Sequence, residues 1–225
     1  MEGKGKIVFV TGTDTGVGKS VVTGVLARDM RKGGIDAITV KLVQTGNDGF
    51  SEDIELHRKL MGGVEFEEDR LGLTAPQIFK FPSSALLAAQ LEGRVVDVDR
   101  IVASVEECAR RREVVLVEGA GGLFVPLTDD LAAIDLVQRE GWPVVLVCNG
   151  RLGSINHTLL SIDALRSRSI PLERVVYNWA PDVDPVIDRD TPAVIERYLR
   201  KWGFDGVDVA RFEKVEVAQV PSPKS

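Results

Sequence analysis

Nine consecutive residues, Gly12-Thr13-Asp14-Thr15-Gly16-Val17-Gly18-Lys19-Ser20, combine three glycines with a lysine and a hydroxyl. Such a segment can wrap its backbone N–H groups around phosphate oxygens, above all between a strand and the positive end of a helix. Lys19 would then meet the β and γ phosphates of a nucleotide as a point charge, and the Ser20 hydroxyl would ligate magnesium. The common spacing G-x-x-x-x-G-K-[ST] asks for glycine where this chain has Thr13, so the loop is a variant. A loop of this kind names a ligand and no reaction.

Three further charged residues sit where such a ligand would need them. Glu118 follows the apolar run Val114 to Val117 and precedes Gly119-Ala120-Gly121-Gly122. Lys41 lies near the end of an apolar stretch, a costly place for an ammonium group unless an anion meets it. Asp53 opens a helical stretch after the turn Gln44 to Gly49. With Ser20, Asp53 and Glu118 supply oxygen donors, the type magnesium prefers. Each has a plainer account: Asp53 as a helix N-terminal charge worth about 0.3–1 kcal/mol, and Lys41 as a side chain snorkelling from an edge strand.

These residues need a scaffold that gathers strand ends. Ile7 to Thr11, Ala37 to Val43, Val114 to Val117, Pro143 to Val147 and Val175 to Tyr177 read as short buried strands. Helical spacing runs over Lys19 to Arg31, Asp53 to Met61, Ser84 to Leu91, Val98 to Arg112, Ala132 to Glu140 and Ser154 to Arg168. The alternation predicts an α/β protein: a P-loop fold with a mostly parallel central sheet and helices on both faces. Gln44 to Arg112 carries three predicted helices and no convincing strand, so it reads as an excursion over the top of the sheet. No linker splits the chain, which reads as one domain over residues 1–225 with a frayed tail from Pro221 to Ser225.

Composition closes off other classes. At 225 residues, 44% apolar and 28% charged, the chain is of ordinary globular make-up. A net charge of -6 argues against a nucleic-acid surface, which needs clustered Lys and Arg. No secretory signal and no membrane-length apolar run are present. The two cysteines, Cys108 and Cys148, are far apart, so neither a disulfide framework nor a zinc cluster is expected and the cytoplasm is the natural compartment. The only histidines, His57 and His157, lie neither in the phosphate loop nor at Lys41 or Glu118.

Four segments, taken in order, resemble the dethiobiotin synthetase family: TGTDTGVGKS from Thr11 to Ser20, VKLVQTG from Val40 to Gly46, VEGAGGLFVPL from Val117 to Leu127, and LGSINHTLLSIDALR from Leu152 to Arg166, with Asn178 beyond the last expected strand. The resemblance implies an enzyme that uses ATP, magnesium and CO2 to close a cyclic urea on 7,8-diaminononanoate in biotin synthesis. A carbamate forms on one amine, its oxygen attacks the γ-phosphate, and the second amine closes the ring as phosphate leaves. An anionic carbamate needs no strong protein base, so positioning and charge neutralisation would carry the catalysis. The resemblance makes Lys41, Lys19 and Thr15 the catalytic residues. It gives the nucleotide Thr15, Gly16, Val17, Gly18, Lys19, Ser20, Asp53, Glu118, Gly119, Ala120, Gly121 and Asn178, the last against the purine. Magnesium goes to Ser20, Asp53 and Glu118, and the diamine to Thr45. The substrate carboxylate falls to Gly153, Ser154, Ile155 and Asn156 at a helix start of the partner subunit, which implies a homodimer. From the residues alone, that helix start reads as an ordinary Ser or Asn cap and His157 as a structural helix residue.

The chain departs from the family in three places. Leu42 stands for the usual proline after the lysine, Ala85-Leu86 for a Pro-His pair, and Gly206 to Phe212 for a short Gly-Ile-Pro stretch near the base. Two rival readings share the loop. A glutamine-dependent amidating synthetase would need a glutaminase domain for which the chain is too short. A non-catalytic ATP-driven switch of the partitioning type would carry a second lysine where this chain has Asp14.

Overall fold

A computed structural model describes residues 4–179 and 183–212. The chain opens with β1 (Lys6–Gly12), α1 (Lys19–Lys32) and β2 (Ala37–Lys41). An excursion follows: β3 (Gln44–Thr45), α2 (Glu52–Leu60), α3 (Glu67–Arg70), β4 (Ile78–Phe79), α4 (Ala85–Leu91) and α5 (Val98–Arg111). The chain then returns through β5 (Val114–Glu118), α6 (Ala133–Glu140), β6 (Val144–Asn149), α7 (Ser154–Ser167), β7 (Leu172–Asn178), α8 (Pro185–Lys201) and β8 (Val209–Phe212). Six strands form one parallel sheet in the order β2-β5-β1-β6-β7-β8.

Runs such as Ala37 to Lys41 are buried at every position, with no alternation between faces. The same holds for nearly all of β1, β5 and β6. Only a sheet covered on both sides buries a strand that way, which is why these segments read as continuous apolar runs. β1 sits inside the sheet, with β5 on one side and β6 on the other. Chain direction across the sheet reverses there, and the crevice beyond the carboxyl ends of such strands is where open α/β sheets bind ligands. Among the described residues no helix is long and apolar enough to cross a membrane.

The excursion differs from expectation. It contains a fourth helix, α3, and two strands of two residues each, paired as Gln44 with Ile78 and Thr45 with Phe79. Strands that short leave no period in the sequence to detect. The C-terminal part adds α8 and β8. Asp184 caps α8 by accepting from the Val186 N–H, and Pro185 takes its first turn, but Pro192 inside the helix masks the pattern. Residues Val209 to Phe212, within the divergent stretch Gly206 to Phe212, become the sixth strand, so Asn178 ends the fifth strand of the main sheet and not the last. The expected tail from Pro221 to Ser225 lies outside the described residues.

Candidate functional site

The phosphate-loop residues leave β1 and enter α1 through Gly18, whose φ of 95° belongs to the left-handed region that glycine tolerates. A Cβ there would lie 2.2 Å from Asn178 Nδ2, so only glycine lets β7 come this close. α1 starts with no side-chain cap and no acidic residue in its first turn. Its first N–H groups are therefore free for an anion, supported by the helix dipole. Lys19, almost fully buried, donates from Nζ to the Asp14 carbonyl at 2.9 Å. Burial, and then the neighbouring Lys41, lower its pKa from the ordinary lysine value.

Lys41 and Glu118 are direct partners across the ends of β2 and β5. Both side chains are buried, and Lys41 Nζ lies 2.8 Å from Glu118 Oε1 and 2.6 Å from Asp53 Oδ2. Burial works against the Lys41 ammonium, but Glu118 and Asp53 outweigh it and hold the pKa above the ordinary value. Burial likewise works against the Glu118 carboxylate, yet Lys41 and the His57 hydrogen bond bring its pKa down to about 2. Asp53 arrives from α2. Ser51 caps that helix by accepting from the Ile54 N–H, and donates its own hydroxyl to Gln44 Oε1 at 2.6 Å, which fixes α2 to β3. The Ser20 hydroxyl is 2.7 Å from Asp53 Oδ1 and 2.8 Å from Glu118 Oε1, within donating reach of both.

These groups open on a cavity of about 730 Å³, bordered by Thr15, Gly16, Gly18, Lys19, Ser20, Lys41, Thr45, Asp53, Glu118, Ala120 and Gly121 among others. Its far wall is Pro82 to Ala85, at the start of α4. Gly119 offers its carbonyl to Lys41 Nζ at 3.3 Å, and Val17 its carbonyl to Asn178 Nδ2 at 2.9 Å. A Cβ on Gly119 would strike the Phe9 ring at 2.6 Å. The expected nucleotide and metal residues thus gather at one end of the sheet. Gly153, Ser154, Ile155 and Asn156 do not border this cavity. They begin α7, and the cap is Gly153 at φ 93°, not a serine or asparagine, with no side-chain cap and no acid in the first turn. α1 and α7 share this bare start on a left-handed glycine, whereas Ser51, Ser84, Asp97 and Asp184 cap α2, α4, α5 and α8.

The two histidines lie in very different surroundings. His57 is fully buried and its Nε2 lies 2.8 Å from Glu118 Oε2, so it reaches Glu118. Four residues after Asp53, it shares that residue's face of α2; helical spacing alone could not tell which strand the face would meet. His157 lies in α7, as a helix residue, but is exposed and borders a separate groove of about 460 Å³ between the phosphate loop, Gly122 to Pro126 and α7. Asp14, where a switch protein would carry its second lysine, pairs instead with Arg151 at 2.7 Å.

A parallel sheet whose first strand runs into this glycine loop and an uncapped helix defines a P-loop nucleotide-binding protein. In keeping with that, residues 6–219 match the family model described as AAA domain. The solved structure of pNOB8 ParA superposes with a TM-score of 0.56 at 14% identity, covering 92% of this chain and 82% of that one, a likeness that shows the fold alone. Sequence relatives are far nearer. The ATP-dependent dethiobiotin synthetase BioD of Chlorobaculum tepidum is 47% identical over 201 residues, 89% of this chain and 84% of that protein. BioD 2 of Pasteurella multocida is 41% identical over 197 residues, covering 88% and 92%. The chain belongs to the dethiobiotin synthetase family.

Proposed function

We propose that this chain makes dethiobiotin from 7,8-diaminononanoate, CO2 and ATP in biotin biosynthesis. The observation that carries the reading is the convergence of Lys19, Lys41, Ser20, Asp53 and Glu118 on one cavity beside an uncapped helix start. Magnesium fits the donor set: a hydroxyl and two carboxylates meet at a point that already attracts a cation, the Lys41 ammonium. Among the described residues no group of three His, Cys, Asp or Glu stands ready to hold a metal alone. That suits magnesium, which takes one or two carboxylates and completes its shell with phosphates and water. Ser20, Asp53 and Glu118 would hold it, and when bound it offsets charge on the phosphates.

The rest of the chemistry follows from charge. A carbamate oxygen attacking a γ-phosphate brings anions together, and two unit charges 4 Å apart interact by roughly 4 kcal/mol at an effective dielectric near 20. Lys19 and Lys41 stabilise the arrangement where charge develops. The new O–P bond forms as the bond to ADP breaks. The second amine then attacks the carbamate carbon, loses its proton and releases phosphate, closing the ring. Thr45 binds the diamine nitrogens, Thr15 lines the same space, and the backbone of Gly16 to Gly18 and Gly119 to Gly121 cradles the nucleotide. Asn178 meets the purine. Gly153, Ser154, Ile155 and Asn156 of one protomer bind the far carboxylate of the substrate held by the other, at the bare start of α7. The enzyme acts as one domain, as a homodimer and in the cytoplasm; its two buried, unpaired cysteines suit a reducing compartment.

The test is conditional turnover. ADP release should require the diamine and bicarbonate together; ATP turnover indifferent to the diamine would remove the proposal.

A further inference from the structure

Glu118 has two carboxylate oxygens with different partners. Oε1 faces the cavity, within 2.8 Å of both Ser20 Oγ and Lys41 Nζ. Oε2 points the other way, into the interior, where His57 Nε2 meets it at 2.8 Å. A carboxylate can only accept, so Nε2 carries the proton of that bond. The other ring nitrogen, Nδ1, is 3.0 Å from Thr39 Oγ1, and the same oxygen accepts from Arg58 Nη1 at 2.7 Å. Arg58 in turn holds Asp69 through two bonds of 2.7 and 2.8 Å. His57 therefore cannot turn without breaking a chain that ends on α3.

We propose that His57 is a positioning residue for the metal and nucleotide site: by fixing Oε2 it holds Oε1 of Glu118 toward Ser20 and Asp53. The inference deepens the proposed function and rests on its reading of Glu118 as a magnesium ligand. α2 serves the site twice, with Asp53 at its open edge and His57 one turn on, behind Glu118. Groups that bind a metal's ligands from behind set their orientation, and removing one costs about 10- to 100-fold in metal affinity or activity.

Two near-isosteric variants separate positioning from packing. The Gln amide of His57→Gln can put a donor where Nε2 now sits, while the shorter Asn of His57→Asn reaches the place of Nδ1 and keeps only the Thr39 contact. Mn2+ serves as the probe, its free ion followed by electron paramagnetic resonance on protein saturated with a nonhydrolysable ATP analogue, alongside a thermal melt of each variant. His57→Asn should weaken Mn2+ binding about tenfold or more, with His57→Gln within about threefold of wild type. Equal weakening in both, or none in His57→Asn, overturns the positioning role. Glu118→Ala serves as the reference and should weaken Mn2+ binding strongly. If it does while His57→Asn binds normally, the metal site stands and only the His57 inference falls; if Glu118→Ala binds normally, both fall.

Discussion

Lys41, held between Asp53 and Glu118, occupies the position from which it can neutralise the two carboxylates before a nucleotide arrives. Replacing it with methionine leaves the buried Glu118 carboxylate facing the half-buried Asp53 carboxylate with no cation between them, and breaking a buried pair from one side costs on the order of 3 kcal/mol. Lys41→Met should therefore melt well below wild type in the absence of divalent cations, recover much of the loss with magnesium and a nonhydrolysable nucleotide, and still turn over about a hundred- to a thousandfold more slowly. Differential scanning fluorimetry and an ADP assay check the two halves. Glu118 gives a pH signature. Its pKa falls to about 2 in the folded state, from an ordinary 4.5. On acidification the unfolded chain takes up that proton first, so the contribution of Glu118 to stability is complete above about 4.5 and drains away toward about 2. Urea unfolding at pH 7, 4 and 3 should show a steeper loss in wild type than in Glu118→Gln. The sequence singled out Lys19 and Ser20 by the loop motif, Lys41 and Glu118 by their place at strand ends, and Asp53 by its place at a helix start, and the structure brings the five together. His57 and Thr39 were not singled out, since their roles depend on which faces of α2 and β2 meet across 18 residues of chain.

The glycine loop is the element on which nucleotide binding turns, and Gly18 is its least replaceable residue. Gly18→Ala would force a left-handed conformation on an alanine and press a methyl group into the Asn178 amide. The strain costs roughly 1–2 kcal/mol, so the variant should still fold. Calorimetry with a nonhydrolysable ATP analogue should nonetheless show affinity down by at least about tenfold, because the N–H groups that form the cradle shift together. Wild-type affinity in a folded variant would mean the phosphates lie elsewhere. The buried strands of five to seven residues and the regular helices could be read from apolar spacing. β3 and β4 could not, because two residues carry no period, nor could α8, whose internal Pro192 reads as a stop. The bare start of α7 was hidden for a different reason. Ser154 and Asn156 are good capping types, but Gly153 takes the cap position, so neither side chain closes the helix start.

For the whole molecule the central question is whether one site draws on two chains. If α7 of the partner supplies the carboxylate end, Lys41→Met and Asn156→Glu should complement each other. The first disables the phosphate end; the second puts an acid in the first turn of α7, where it repels the substrate carboxylate. Mixed and allowed to exchange, the pair should regain up to about a quarter of wild-type activity from heterodimers, as expected for random pairing of two protomers. No recovery would place the whole site within a single chain. The claim beneath all of this is that ATP is spent on a carbamate and not on water, and the oxygen atoms of the released phosphate record the difference. Heavy-oxygen-labelled bicarbonate, supplied with the diamine and ATP in ordinary water and sampled before its label exchanges, should deliver one labelled oxygen to each phosphate formed. Unlabelled phosphate appearing in step with ADP would contradict the account.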